Sequence, residues 1–205
     1  YYVCTPNNPT GTVTPLEDIA WLVENKPKGS IVLVDEAYIH FSNTKSALSL
    51  VGQGKEVIVL RTFSKIFGMA GLRLGLSFAH PDVHARMMRY DGENETSMLP
   101  MPAVACGTKS LTMAADIAAR RSEMIAARTM TFDHLTKRGV SFIPSDANMF
   151  VLDWKKPAGP IKDAFLRQNV LIGRSWELWP NASRITVGSR AELEAFCAAL
   201  DHVMA

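Results

Sequence analysis

Short apolar runs alternate with amphipathic stretches along this chain, and that rhythm predicts most of its elements. Ile31-Val32-Leu33-Val34 and Val57-Ile58-Val59-Leu60 are continuous apolar, β-branched runs without a polar face. That is the pattern of strands buried on both sides of a parallel sheet. Leu74 to Ala79 predicts a third strand. Ahead of the first run, Thr14-Pro15-Leu16-Glu17 predicts a helix start, with Thr14 as cap, Pro15 at the first helical position and Glu17 closing a capping box. This helix should end near Asn25, before the Lys26-Pro27-Lys28-Gly29 turn. A helix between strands at this spacing predicts α/β layering. Tyr1-Tyr2-Val3 runs straight into turn residues and reads as the end of a strand arriving from preceding sequence, so the chain is expected to be part of a longer protein.

The texture changes after His80-Pro81. Val83 to Tyr90 predicts a short helix and Asp91-Gly92-Glu93-Asn94-Glu95 a polar break. Pro102 to Met113 and Ala114 to Arg138 predict helices, the second closed by Gly139. Met149 to Asp153 predicts a strand, Ile161 to Gln168 a helix, and Arg184 to Val187 a strand. Ser189-Arg190-Ala191-Glu192 is a second capping box, opening a last helix to about Val203. The expected division is therefore 1–118, an α/β part, and 119–205, a small α+β domain.

Composition narrows the classes without naming one. The 205 residues are 47% hydrophobic and 20% charged, with a net charge of +2. No basic stripe points to nucleic acid, and no apolar run approaches the ~20 residues that span a bilayer. Cys4, Cys106 and Cys197 lie far apart with no ligand-like spacing, which predicts buried, reduced thiols in a reducing compartment, the cytoplasm. His80 and His84 are separated by Pro81 and predict no metal site. Gly52-Gln53-Gly54 predicts a turn. Trp176 and Trp179 could line a pocket, though packing is the preferred reading.

The residues that could carry chemistry follow the strands. Lys65 stands in FSKIFGMAGLRLG among Phe63, Ile66, Phe67 and Met69, eight residues before Arg73. An ordinary lysine is neutral in roughly one molecule in a few thousand at pH 7, so a nucleophilic one needs apolar burial or a nearby cation. Asp35 and Glu36 follow directly on a buried strand, where open parallel sheets bind ligands, and Tyr38 adds a phenol. Pro6-Asn7-Asn8-Pro9-Thr10-Gly11 is a rigid turn that presents the Asn8 amide. Thr62, Ser64 and Arg73 could together hold a phosphate, and Arg174 and Arg184 an acidic group. Each residue also has a plainer reading: an exposed loop lysine, a turn carboxylate, a core aromatic, a tight turn, a surface ion pair.

Taken in order, NNPTG, DEAY, RTFSKIFGMAGLRLG and RITVG resemble the fold-type I aminotransferases that use pyridoxal phosphate, and most of all the histidinol-phosphate aminotransferase subgroup. The resemblance runs over nearly the whole chain and implies the C-terminal part of such a protein: part of a mainly parallel-sheet large domain with helices on both faces, then a small α+β domain. It implies that Lys65 carries the cofactor as a Schiff base and shuttles a proton. Asp35 would pair with the pyridine nitrogen, and Tyr38 and Asn8 with the phenolic oxygen. Thr62, Ser64 and Arg73 would hold the phosphate, and Arg184, helped by Arg174, the substrate's acidic group. An amino donor and a 2-oxo acid, 2-oxoglutarate above all, would be the substrates, in a homodimer with shared active sites.

The sequence departs from the subgroup at His40, where an acidic residue is usual, and in the shorter, tryptophan-rich stretch from Trp176 to Ala182. Alternatives within the fold are an aromatic or other amino-acid aminotransferase, a decarboxylase or C–S lyase, and the effector-binding domain of a transcription regulator.

Overall fold

The structure, a computed structural model, describes residues 1–91 and 98–204. The chain forms two compact units. The first comprises Tyr1–Pro6 and Val13–Ala118, the second Asn7–Thr12 and the residues from Ala119 onward.

In the first unit, strands β1 (Tyr2–Cys4), β2 (Val32–Asp35), β3 (Val57–Thr62) and β4 (Gly75–Phe78) form a sheet in sequence order. β1–β2 and β2–β3 pair parallel, and β4 returns antiparallel to β3. Helices α1 (Leu16–Asn25) and α2 (Leu48–Gly52) supply Ile19, Val23 and Leu50 to a core with Val32, Val34, Val57 and Val59. Side chains alternate along a strand, so Leu33 and Asp35 lie on the opposite face. A second cluster, Phe63, Met69, Leu74 and Ala103, joins the segment after β3 to α4 (Met101–Leu111). Gly107 of α4 gives the Leu74 side chain room there, since a Cβ would force that side chain to shift.

Several boundaries differ from expectation. α1 begins at Leu16 with Pro15 in the capping position and no side-chain cap. Thr14 lies one residue ahead of the cap, where its N–H donates to Thr5 Oγ1 at 3.0 Å and its carbonyl accepts from the same hydroxyl at 3.3 Å. β2 is shifted by one residue, which takes Asp35 into the ladder opposite Cys4 and Leu60. β3 runs on to Thr62, because β4 continues to pair with it as far as Gly75. α3 (Pro81–Asp91) starts at the proline, so His84 lies inside it. The polar break expected at Asp91–Glu95 lies outside the described residues, except that Asp91 closes α3. Cys106, on α4, is exposed, contrary to the expected burial.

In the second unit, β5 (Ser141–Ile143), β6 (Met149–Asp153) and β7 (Ala182–Thr186) form an antiparallel sheet. α5 (Ala114–Lys137) enters from the first unit. With α6 (Ala158–Arg167) and α7 (Arg190–Val203) it packs Leu135, Phe165, Phe196 and Leu200 against Phe150, Leu152 and Ile185. α7 has the expected capping box: the Glu192 N–H donates to Ser189 Oγ, and the Ser189 N–H to Glu192 Oε2. Gly139, at φ +67°, follows α5 in the left-handed conformation open to glycine. Trp176 and Trp179 meet edge to face at 5.7 Å within a tight turn. Neither belongs to the core, where Trp154 is the buried tryptophan.

Candidate functional site

β2 and β3 are parallel neighbours, so Asp35 and the segment after Thr62 leave the sheet at the same edge. This is the carboxyl edge, where open α/β sheets take ligands. Asp35 is half-buried, and both of its oxygens are engaged. Oδ1 accepts the Ala37 N–H at 2.9 Å, and Oδ2 accepts the Tyr2 hydroxyl at 2.7 Å. The first bond is an Asx-type turn that folds the chain back and leads to Tyr38. Partial burial and the bond to Asp35 push the Tyr2 phenol above its ordinary range, so it remains a donor.

Tyr38 is buried at 6% exposure, and Lys65 Nζ lies 5.1 Å from its ring centroid. That is within cation–π range. Lys65 is half-buried, between the buried Ser64-flanking Phe63 on one side and Ile66 on the other. Thr62 and Ser64 form one hydroxyl cluster. Thr62 Oγ1 lies 2.9 Å from Ser64 Oγ and accepts the Ser64 N–H at 3.0 Å. Arg73 is exposed, left-handed at φ +55°, and its guanidinium donates to Ala70 O at 2.7 Å. A non-glycine residue in that region is uncommon and costs of order 1–3 kcal/mol, which surrounding structure must offset. Here Phe63 N–H donates to Leu74 O and clamps the next residue to the end of β3.

One buried network was not visible in the sequence. Glu36 is fully buried and accepts from Arg61 Nε at 3.1 Å, Arg61 Nη2 at 2.9 Å, Ser46 Oγ at 2.8 Å and the Ala47 N–H at 2.6 Å. It ties the end of β2 to the end of β3, the strand that ends in Asp35 and the one that leads to Lys65. His40 packs edge-on to Phe67 at 5.3 Å, and burial together with the Arg61 charge holds it below the usual histidine range.

Asn8, Arg174 and Arg184 belong to the second unit. Arg184 lies on β7 opposite Val151, mid-strand rather than at the strand entrance as expected, because the small residues Ala182 and Ser183 already pair with β6. Its Nη1 donates to Asn8 Oδ1 at 3.1 Å, while its buried Nε has no partner among the described residues. Arg174 is exposed, and its carbonyl accepts the Arg184 N–H at 2.9 Å, so the two arginines are tied through the backbone. The Tyr2 contact could have been anticipated from strand alternation once the register was known. Arg61 and Glu36 adjoin the predicted residues, but their pairing across two strands has no local signature.

The family described as aminotransferase class I and II matches residues 2–200. A histidinol-phosphate aminotransferase of Symbiobacterium thermophilum is 34% identical over 201 residues, covering 97% of this chain and 55% of its own length. An aromatic amino acid aminotransferase of Cutibacterium acnes is 32% identical over 206 residues, covering 99% and 57%. The crystal structure of histidinol-phosphate aminotransferase from Sinorhizobium meliloti in complex with pyridoxal-5'-phosphate shares the fold, with a TM-score of 0.83 at 23% identity over 99% of this chain and 56% of that one. The chain thus spans a little over half the length of the curated relatives it matches.

Proposed function

The chain belongs to the class I and II aminotransferases, and on that premise we propose that it carries the lysine-bearing part of a pyridoxal phosphate-dependent transaminase. Its substrates would be an amino donor, histidinol phosphate by preference, and 2-oxoglutarate. The observation that carries this reading is the edge shared by β2 and β3. A half-buried amine, Lys65, lies over the Tyr38 phenol there, beside a strand that ends in the Asp35 carboxylate.

The donor set suits that cofactor. One amine, one carboxylate, one phenol, two clustered hydroxyls and one guanidinium match an aldehyde, a basic ring nitrogen, a phenolic oxygen and a phosphate, group for group. When bound, pyridoxal phosphate supplies an electron sink for the substrate's α-carbon. Lys65 Nζ would be the base that takes and returns the α-carbon proton. Asp35 would hold a protonated ring nitrogen by a charge-assisted bond. Tyr38 and Asn8 would donate to the phenolic oxygen. Thr62, Ser64 and Arg73 would bind the phosphate, and Arg184, with Arg174, the substrate's acidic group. The reading extends to a cytoplasmic homodimer with shared active sites acting in histidine biosynthesis. An aromatic amino donor is the second reading, supported by the Cutibacterium acnes relative.

Borohydride reduction of the cofactor-loaded full-length protein, followed by peptide mass analysis, tests the assignment. The label is expected on the peptide containing Lys65 and should be lost in Lys65→Ala. A label on another lysine overturns it. Histidinol phosphate, phenylalanine and tyrosine offered with 2-oxoglutarate separate the two substrate readings, and rates highest on the aromatic amino acids reject the first.

A further inference from the structure

Arg128 is a buried cation on α5 that the proposed reaction does not use. It is 8% exposed, in a helix whose other buried positions are Ala127, Thr131 and Leu135. Burying a guanidinium is costly unless its donors find partners. Its Nη1 donates to the carbonyl of Ala147 at 2.9 Å, and its Nη2 lies 3.8 Å from the Asp146 carboxylate. Burial pulls its pKa below the usual arginine value, and Asp146 opposes that shift. All of its observed partners lie in the segment Ser145 to Asn148, which joins β5 to β6.

That segment in turn grips the turn around Asn8. The Asp146 N–H donates to the Gly11 carbonyl at 2.9 Å. Ser145 Oγ accepts the Ala147 N–H at 3.0 Å and donates to the Met149 carbonyl, which fixes the hydroxyl in place. It sits where a Cβ at Gly11 would lie, and Gly11 is left-handed at φ +71°, so only glycine closes this contact. Inside the turn, the Gly11 N–H donates to Asn7 O at 2.7 Å, the Asn7 N–H to Thr12 O at 2.8 Å and Asn7 Nδ2 to Thr10 Oγ1 at 2.9 Å. Asn8 is therefore held from two sides, by a closed turn seated on Ser145–Asn148 and by Arg184 of β7.

We infer that Arg128 is a positioning residue: by bracing Ser145–Asn148 from the helix side, it fixes the Asn7–Thr12 turn and so the place of the Asn8 amide relative to the Arg184 guanidinium. The functional part of this inference rests on the transaminase reading. The anchoring part does not. A fixed pair matters because a ligand gripping Arg184 and one gripping Asn8 would then meet donors at a constant separation, with the ordering cost met in folding rather than in binding.

The test uses Arg128→Met, which keeps an apolar stem of similar length, Arg128→Lys, which keeps the charge with a different donor geometry, and Leu135→Ala as a variant that destabilises the same helix without touching the segment. Amide hydrogen exchange on the full-length protein is the first readout. In Arg128→Met, exchange at the Asp146 and Gly11 amides should rise at least about tenfold, the scale of one lost charge-assisted hydrogen bond. The Val151 amide of β6 should keep its protection. Arg128→Lys should fall between, and Leu135→Ala should not single out Asp146 and Gly11. Unchanged exchange at those two amides in Arg128→Met, or a uniform rise in both variants, overturns the inference whatever the protein catalyses. The second readout is the KM for the amino donor, expected to rise about tenfold in Arg128→Met but less than about twofold when the same change is made in Asn8→Ala, since coupled residues do not add. Equal factors in both backgrounds overturn the functional part. Selective loosening in a protein without transaminase activity would instead reject the proposed function and leave the anchor standing.

Discussion

The Glu36–Arg61 pair gives the sharpest test of how the carboxyl edge of the first sheet is held. Glu36 has no exposed surface, whereas the Arg61 side chain retains 22% of its own. The two partners should therefore respond differently to losing each other. Arg61→Met removes two donors from a carboxylate that cannot reach water and leaves it with Ser46 Oγ and the Ala47 N–H. Breaking a buried pair from one side costs about 3–5 kcal/mol. Glu36→Gln keeps an acceptor for the Ala47 N–H, and Arg61 can lean toward solvent, so the loss is that of charge-assisted bonds, about 1.5–3 kcal/mol. Replacing both residues by Met removes both charges, and such replacements are often neutral or better. The assay is urea unfolding followed by circular dichroism. With a slope of about 2 kcal/mol per molar, Arg61→Met should lower the midpoint by about 1.5–2.5 M, Glu36→Gln by less, and the double variant should recover most of the loss. An Arg61→Met midpoint within about 0.5 M of wild type at unchanged slope would refute the reasoning. So would a double variant as unstable as the sum of its parts.

Two further outcomes follow from features already described. The fold keeps the His40 pKa below 6.5, so as pH falls through about 6.5 the unfolded chain binds a proton that the native chain still refuses. Stability should drop over that interval and level off below the depressed native value. His40→Phe keeps a ring against Phe67 and should flatten that part of the Tm-against-pH curve, whereas a constant offset from wild type between pH 7.5 and 5.5 would remove His40 from the account. Ser189→Ala should cost about 1 kcal/mol by thermal unfolding and Ser189→Gly only a few tenths, because the capping box loses its hydroxyl in both but glycine still suits the cap; equal losses would show that the box is not what holds the start of α7.

Much of the fold is legible in the sequence. β6 falls on the expected residues because MFVLD is apolar through four of its five positions, and Ser189-x-x-Glu192 announced α7 because a capping box is a local chemical signal. β5 was not anticipated: Ser141-Phe142-Ile143 is too short to show a period and exists because β6 pairs with it. Thr14 illustrates the opposite failure, a good local cap signal on a residue that lies ahead of the helix start, its backbone bonded to Thr5. At the site, Lys65, Asp35, Tyr38 and Arg73 were conspicuous because a charge or phenol in an apolar setting asks for a partner. Tyr2, Arg61 and Arg128 were not, since their meaning comes from strand register or from contacts far along the chain. Arg128 in particular looks like one more cation on a helix until Ala147 is seen opposite it.

The allotment of Asn7–Thr12 to the second unit also bears on how the protein can be divided. The chain leaves the first unit at Pro6 and returns at Val13, more than a hundred residues before the helix where the two units part. Cutting at Ala118 therefore leaves part of the second unit behind. A piece starting at Ala119 would carry Asp146 and Arg184 without the hydrogen bonds they make to Gly11 and Asn8. A workable excision would graft the six-residue turn Asn-Asn-Pro-Thr-Gly-Thr back onto it, for the smaller unit is discontinuous in sequence and complete only in space.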